Sequence, residues 1–264
     1  MEQWLIFLGT GAFAGVLAGL FGVGGGLIMV PALALVLPLQ GVPEDVFMQV
    51  AIGTSLAVIA ATSIASTLAH HRRGAVDWPA LRHFAPGLAL GALAGAFVAD
   101  ALSGQVLRRI VGIGAILVAV QMSLPRHGSA CTAGLRAGSI ELVCAGAAIG
   151  LLSALVGIGG GSLSVPYLSA RGLPVLRAVG SAAAGGIPIA WAGALGFMVA
   201  GWHAPGVPAP HLGYVSLSAF IALAAASVLC APLGVRLAHR LPAGMLKRGF
   251  ALLLLLVGAR LSLG

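Results

Sequence analysis

Gly22-Val23-Gly24-Gly25-Gly26 and Gly157-Ile158-Gly159-Gly160-Gly161 each interrupt an apolar run that would otherwise read as a membrane helix. Each is followed five residues on by a proline, Pro31 and Pro166. Aligned at a constant offset of 135, residues 15–31 and 150–166 agree at nine of seventeen positions, which marks a duplication. Glycine has no Cβ and reaches positive φ, so such a break lets backbone amides turn toward a small ligand. Inside a bilayer, unwound backbone is tolerated only where protein buries it or where it lines a cavity. The two breaks are therefore the candidate binding site.

The surrounding composition sets the class. Of the 264 residues, 59% are hydrophobic and 8% charged, with a mean hydropathy of +1.08, outside the range of soluble domains. The expected fold is all-α and polytopic. Apolar stretches of spanning length recur at residues 46–69, 84–102, 106–124 and 210–237, which leaves no room for a soluble domain. Glu2, with no basic residue before the first apolar run, does not fit a signal peptide, so Trp4 onward reads as mature membrane structure. The 14 Lys and Arg give a net charge of +8, but they are scattered through short loops without interleaved aromatics. That excludes a nucleic-acid partner and suits orientation in a lipid bilayer. Cys131, Cys144 and Cys230 form no CxxC pair and read as small packing residues.

Residues 5–20 form an apolar helix with Gly11, Gly15 and Gly19 at four-residue spacing, a ridge that lets membrane helices approach closely. After the break, residues 27–39 resume for about 20 Å at 1.5 Å per residue, short of a core about 30 Å thick. The second copy, residues 162–170, is shorter still before Arg171. Each half is thus expected to begin with a re-entrant or broken helix. Ala51-Ile52-Gly53-Thr54-Ser55 then matches Ala178-Val179-Gly180-Ser181-Ala182 at offset 127, and Leu107-Arg108-Arg109 matches Leu246-Lys247-Arg248 at offset 139. The division that follows is a first repeat, 1–125, a linker, 126–137, and a second repeat, 138–264, with three transmembrane helices after each broken one and 8 to 10 membrane segments in all.

Basic residues test that topology. Eight simple crossings divide the 14 basic residues nine to five. Two re-entrant units instead place Arg72, Arg73, Arg82, Arg126, Arg136, Arg171, Arg177, Arg236, Arg240, Lys247 and Arg248 on one side, against Arg108, Arg109 and Arg260. Eleven to three fits the positive-inside rule better, puts both termini outside and inverts one repeat relative to the other. Inverted repeats with broken helices at the midplane are a recurring transporter architecture.

A small anion at the breaks would meet unpaired N–H groups and the positive ends of two helix dipoles. The expected binding residues are Gly22, Gly24, Gly25, Gly26, Thr54 and Ser55 from the first half, and Gly157, Gly159, Gly160, Gly161, Ser162 and Ser181 from the second. Ser153 and Ser164 offer further hydroxyls. Close helix packing is the rival reading of the glycines. A P-loop is excluded because no Lys-Ser/Thr follows Gly26 or Gly161, and hydropathy excludes a dinucleotide-binding βαβ unit. Pro188, after Gly185-Gly186, is a further break that fits either a gating or a packing kink. Glu141 is the one acid close to a span, and it reads as interfacial. His70-His71-Arg72-Arg73 reads as a topology anchor rather than a metal site. No nucleophile, base and orienter share a credible spacing, so neither an enzyme nor a cofactor is expected.

The doubled glycine motif from Gly15 to Pro31 and Gly150 to Pro166, with the Ala-Ile/Val-Gly-Thr/Ser signatures, resembles the TauE/SafE family, the sulfite exporter family. The resemblance covers nearly the whole chain. It implies a multi-spanning permease of the bacterial inner membrane that moves sulfite, sulfonates or related sulfur-containing anions, with efflux as the expected direction. The residues alone reach only a small anion. A passive channel and a membrane scaffold or receptor subunit stay open as alternatives, as does a homo-oligomer. Ser55 is matched by Ala182, so the two half-sites need not contribute equally.

Overall fold

A computed structural model describes residues 2–21, 26–123, 137–207, 209–238 and 243–263. The described residues are almost wholly helical: α1 (Glu2–Phe21), α2 (Gly26–Val36), α3 (Phe47–Arg72), α4 (Trp78–Asp100), α5 (Gly104–Ser123), α6 (Ser139–Val156), α7 (Gly161–Ala170), α8 (Val175–Ala200), α9 (Leu217–Ala238) and α10 (Ala243–Leu263). The chain is an all-α polytopic membrane protein. Five described helices, α3, α4, α5, α6 and α8, are long and apolar enough to cross a membrane. The half-helices α2 and α7, of 11 and 10 residues, reach only about 15 Å and cannot.

α3 lies at the centre. Every residue from Phe47 to Ala60 is buried, as expected of a helix that is apolar all round. α8 runs antiparallel to it. Phe197, near the end of α8, lies against Gly53, while the Thr67 hydroxyl, near the end of α3, donates to the Ala183 carbonyl at 3.2 Å. The face of the molecule where α3 begins is called the first face, and that where it ends the second. α4 returns to the first face, where Gln49 Nε2 donates to the Leu102 carbonyl at 3.0 Å.

Glycine ridges set the remaining contacts. A Cβ on Gly87 or Gly91 would overlap the Val143 or Ala147 carbonyl, and one on Gly95 would come within 2.8 Å of the Leu151 carbonyl. The partner residue rises with the glycine number, so α4 and α6 are parallel and touch backbone to backbone. α1 and α9 pack in the same way: Gly11 meets Leu223, Gly15 meets Ser227, and the Ser227 hydroxyl donates to the Gly11 carbonyl at 3.0 Å. α5 and α10 cross antiparallel through Gly112 and Gly258.

These directions make the glycine-broken units re-entrant. α6 enters from the second face, parallel to α4, and α7 delivers the chain to the start of α8 on that same face. At its mouth Glu141 pairs with Arg171 and accepts the Tyr167 hydroxyl at 3.2 Å, and the Tyr167 ring stacks on Phe84. Glu141 thus lies in the first turn of α6, toward the second face. α1 enters from the first face with α9, and α2 leads through a single 3₁₀ turn, Pro38–Gln40, to the start of α3 there. Among the described helices, Arg72, Arg73, Arg82, Arg171, Arg177, Arg236, Lys247 and Arg248 lie toward the second face, and Arg108, Arg109 and Arg260 toward the first. Arg126, Arg136, Arg240 and Cys131 lie outside the described residues.

Two expectations change. The apolar stretch 210–237 becomes helical only at Leu217, because His211–Leu212 pairs antiparallel with Val215–Ser216 instead. Gly213 makes that turn possible: its φ is +56°, and any Cβ would overlap the Met198 carbonyl. Tyr214 anchors the hairpin, donating its backbone N–H to the Phe197 carbonyl at 3.2 Å and its hydroxyl to Asp100 Oδ1 at 2.7 Å. Cys144 is exposed on α6 rather than packed, while Cys230 is half-buried.

Candidate functional site

The second break is fully described. α6 ends at Gly157, whose φ of +73° and ψ of 33° turn the chain out of the helix. The Gly157 and Ile158 amides both return to the Ser153 carbonyl, the latter at 2.9 Å. Gly160, at φ +75°, starts α7, and its carbonyl accepts the amides of Leu163 at 3.2 Å and Ser164 at 2.8 Å. Gly161 and Ser162, the first two residues of α7, have no intrahelical acceptor for their N–H groups. Pro166 lacks the N–H that would close on the Ser162 carbonyl, which leaves this first turn loosely tied.

Three hydroxyls stand at this break. Ser153 and Ser164 are 0% exposed, and the Oγ atoms of Ser153, Ser162 and Ser164 are buried without a hydrogen-bond partner among the described residues. Buried hydroxyls are nearly always paired, so three unpaired ones within twelve residues call for an explanation. Ser164 Oγ lies 3.6 Å from where a Cβ on Gly160 would sit.

Gly22, Gly24 and Gly25 lie outside the described residues. Gly26, which opens α2, abuts the second break: a Cβ there would lie 2.5 Å from both the Gly157 carbonyl oxygen and Ile59 Cδ1. α3 and α8 pack against the second break. Ser55 donates its hydroxyl to the Gly157 carbonyl at 3.3 Å, Ile59 presses on Gly159, and Gly186 faces the Gly159 carbonyl. Gly26, Ser55, Gly157, Gly159, Gly160, Gly161 and Ser162 are thus neighbours in the fold.

Thr54 and Ser181 sit elsewhere, in matched roles. The Thr54 hydroxyl accepts the backbone N–H of Ser216 at 3.1 Å, and the Ser181 hydroxyl that of Asp77 at 2.9 Å. Ser216 and Asp77 immediately precede α9 and α4, so a helix of each half holds the start of a helix in the other. The glycine before each hydroxyl makes this possible: Gly53 lies against the Tyr214 carbonyl, and any Cβ on Gly180 would overlap that of Ala75. Sequence spacing singled out both signatures as shared between halves, and in the structure each hydroxyl accepts a backbone N–H from the other half. Ser153 and Ser164 carried no distinguishing sequence signal, because their lack of partners is a property of the folded chain.

No group of three or more His, Cys, Asp or Glu suited to a metal ion occurs among the described residues. The sequence profile of the family described as "Sulfite exporter TauE/SafE" matches residues 7–261. A "Probable membrane transporter protein" of Haemophilus influenzae is 38% identical over 98% of each chain. Proteins of the same description from Methanocaldococcus jannaschii and Bacillus subtilis are 29% identical over 88% of this chain and 85% of the relative, and 32% identical over 63% and 67%. No solved structure matches the chain. A family match across nearly the whole length, on a polytopic all-α fold, makes the chain a membrane transporter of the TauE/SafE sulfite exporter family.

Proposed function

We propose that the protein is a secondary transporter that exports a small sulfur-containing anion, of the sulfite or organosulfonate class, across the bacterial inner membrane. The anion sits between the two glycine breaks. The Ser153, Ser162 and Ser164 hydroxyls and the first amides of α7 donate to it, and the N-terminal end of the helix supplies favourable potential without a buried cation. The observation that carries this reading is the set of three buried, unpartnered hydroxyls beside a helix N-terminus. Their pairing deficit is what an oxyanion would relieve. Two repeats, 1–125 and 138–264, joined by the 126–137 linker, would open the site alternately, with the Arg-rich second face in the cytoplasm.

Anion uptake and release from proteoliposomes tests this with sulfite, thiosulfate, sulfate and methanesulfonate. Ser153→Ala and Ser164→Ala should fold as well as the wild type, since each removes a hydroxyl that has no described partner. Each should raise the apparent KM for the transported anion about three- to tenfold. Gly160→Leu should abolish flux. Wild-type KM in both serine variants would place the anion elsewhere, and non-saturable flux would mark a passive channel.

A further inference from the structure

We infer that Ser55 is a positioning residue: from the first half of the chain it fixes the shape of the second glycine break, and it does not itself hold the anion. The inference rests on the site proposed above. A serine hydroxyl has one proton to donate, and that of Ser55, 0% exposed, goes to the Gly157 carbonyl at 3.3 Å. It therefore has none left for an oxyanion in the same conformation.

The carbonyl that Ser55 holds is the pivot of the break. The Gly157 and Ile158 amides both return to Ser153, and Gly157 is the first residue past α6 with left-handed φ and ψ, so its carbonyl is the first to leave the helix axis. Without Ser55 it would be a buried acceptor, free to rotate with the Gly157–Ile158 peptide. Rotation there would release the Ser153 carbonyl and swing Gly159 and Gly160, which carry the N-terminus of α7. Ser55 thus ties together the Ser153 hydroxyl and the α7 amides, the two donor sets that must converge on one anion.

Neighbours on α3 support the same role. Ile52 and Ile59 lie three residues before and four after Ser55, on one helix face. Ile52 Cγ2 is 3.4 Å from a Cβ position on Gly157, and Ile59 Cγ2 is 3.0 Å from one on Gly159. One face of α3 therefore seats Gly157 and Gly159, with a single polar contact among apolar ones, while Gly160 lies against Ile189 of α8. The residue matching Ser55 is Ala182, which has no hydroxyl to donate.

Ser55→Ala, with Ser55→Thr as the conservative variant that keeps Oγ, tests the assignment in the full-length protein. In proteoliposomes loaded with sulfite, Ser55→Ala should raise the apparent KM about three- to tenfold with maximal rate changed less than about twofold, and Ser55→Thr should recover most of the loss. Hydrogen exchange without any anion gives a second readout: amides of residues 157–162 should exchange faster in Ser55→Ala than in the wild type or Ser55→Thr. Unchanged exchange there overturns the positioning role, as does a wild-type KM in Ser55→Ala where Ser153→Ala or Ser164→Ala raises it. If Ser153→Ala and Ser164→Ala also leave KM unchanged while exchange at 157–162 rises, the anion site has been misplaced and the hold of Ser55 on the break stands.

Discussion

Thr54 accepts the backbone N–H of Ser216, 162 positions away, just as Ser181 accepts that of Asp77. Thr54 and Ser181 are matched positions of a repeat, and each reaches into the other half. Thr54 and Ser216 are both buried, so loss of the Thr54 hydroxyl strands an N–H with no water to take it, while the half-buried Asp77 amide loses its partner at Ser181. Thr54→Val and Ser181→Ala should each lower stability by about 1–3 kcal/mol in thermal unfolding of the detergent-solubilised protein. The two lie toward opposite faces, so their effects should add within about 0.5 kcal/mol. A Thr54→Val protein as stable as the wild type would remove the latch from the account.

The glycines of α4 and α6 offer a sharper contrast. A methyl group on Gly91 would overlap the Ala147 carbonyl, and backbone cannot step aside as a side chain can. Gly91→Ala should therefore cost about 1–3 kcal/mol or prevent membrane accumulation. Gly138, before α6, has open space where a Cβ would sit and a φ of −70°, so Gly138→Ala should stay within about 0.5 kcal/mol of the wild type. Equal yields and melting temperatures for the two would contradict the backbone contact.

Tyr214 predicts a pH dependence. Burial, with the hydrogen bond and charge of Asp100 adding to it, raises the phenol above its ordinary value near 10. The folded chain keeps a proton that the unfolded chain releases. The contribution is thus complete below about pH 10 and is lost as pH rises through the raised folded value. Tyr214→Phe should be less stable at pH 8 by about 1.5–3 kcal/mol, the worth of a hydrogen bond to a charged group, and lose stability less steeply above about pH 10. Parallel stability curves for the two proteins across that range would refute the assignment.

What was legible in the chain depended on whether the cause was local. The breaks were readable because Gly157 and Gly160 need positive φ and because a ten-residue helix cannot span a bilayer. Their re-entry followed from charge, since Arg171 and Arg177 must lie on the same side as Arg82. The hairpin at 211–216 was hidden in an apolar run: Leu212 and Val215 are as hydrophobic in a strand as in a helix, and the contacts that favour the turn, the Met198 carbonyl over Gly213 and the Phe197 carbonyl on the Tyr214 amide, come from α8. The α4 start at Trp78 was missed because Arg82 and His83 interrupt the hydropathy, although Asp77 caps the helix by accepting the Ala80 amide at 3.0 Å. Which serines stay unpaired could not be read at all, because hydrogen-bond satisfaction is settled by partners distant in sequence.

The parallel pairing of α4 with α6, and of α1 with α9, bears on how the protein is made. During synthesis α4 enters the membrane while its partner has still to be translated, so the ridge of Gly87, Gly91 and Gly95 must wait against lipid until α6 arrives. α1 waits longer still, for α9. A chain severed between residues 126 and 137 should therefore give two fragments that accumulate only when co-expressed. Neither half can complete its own packing, and assembly is finished only when the last helices have been inserted.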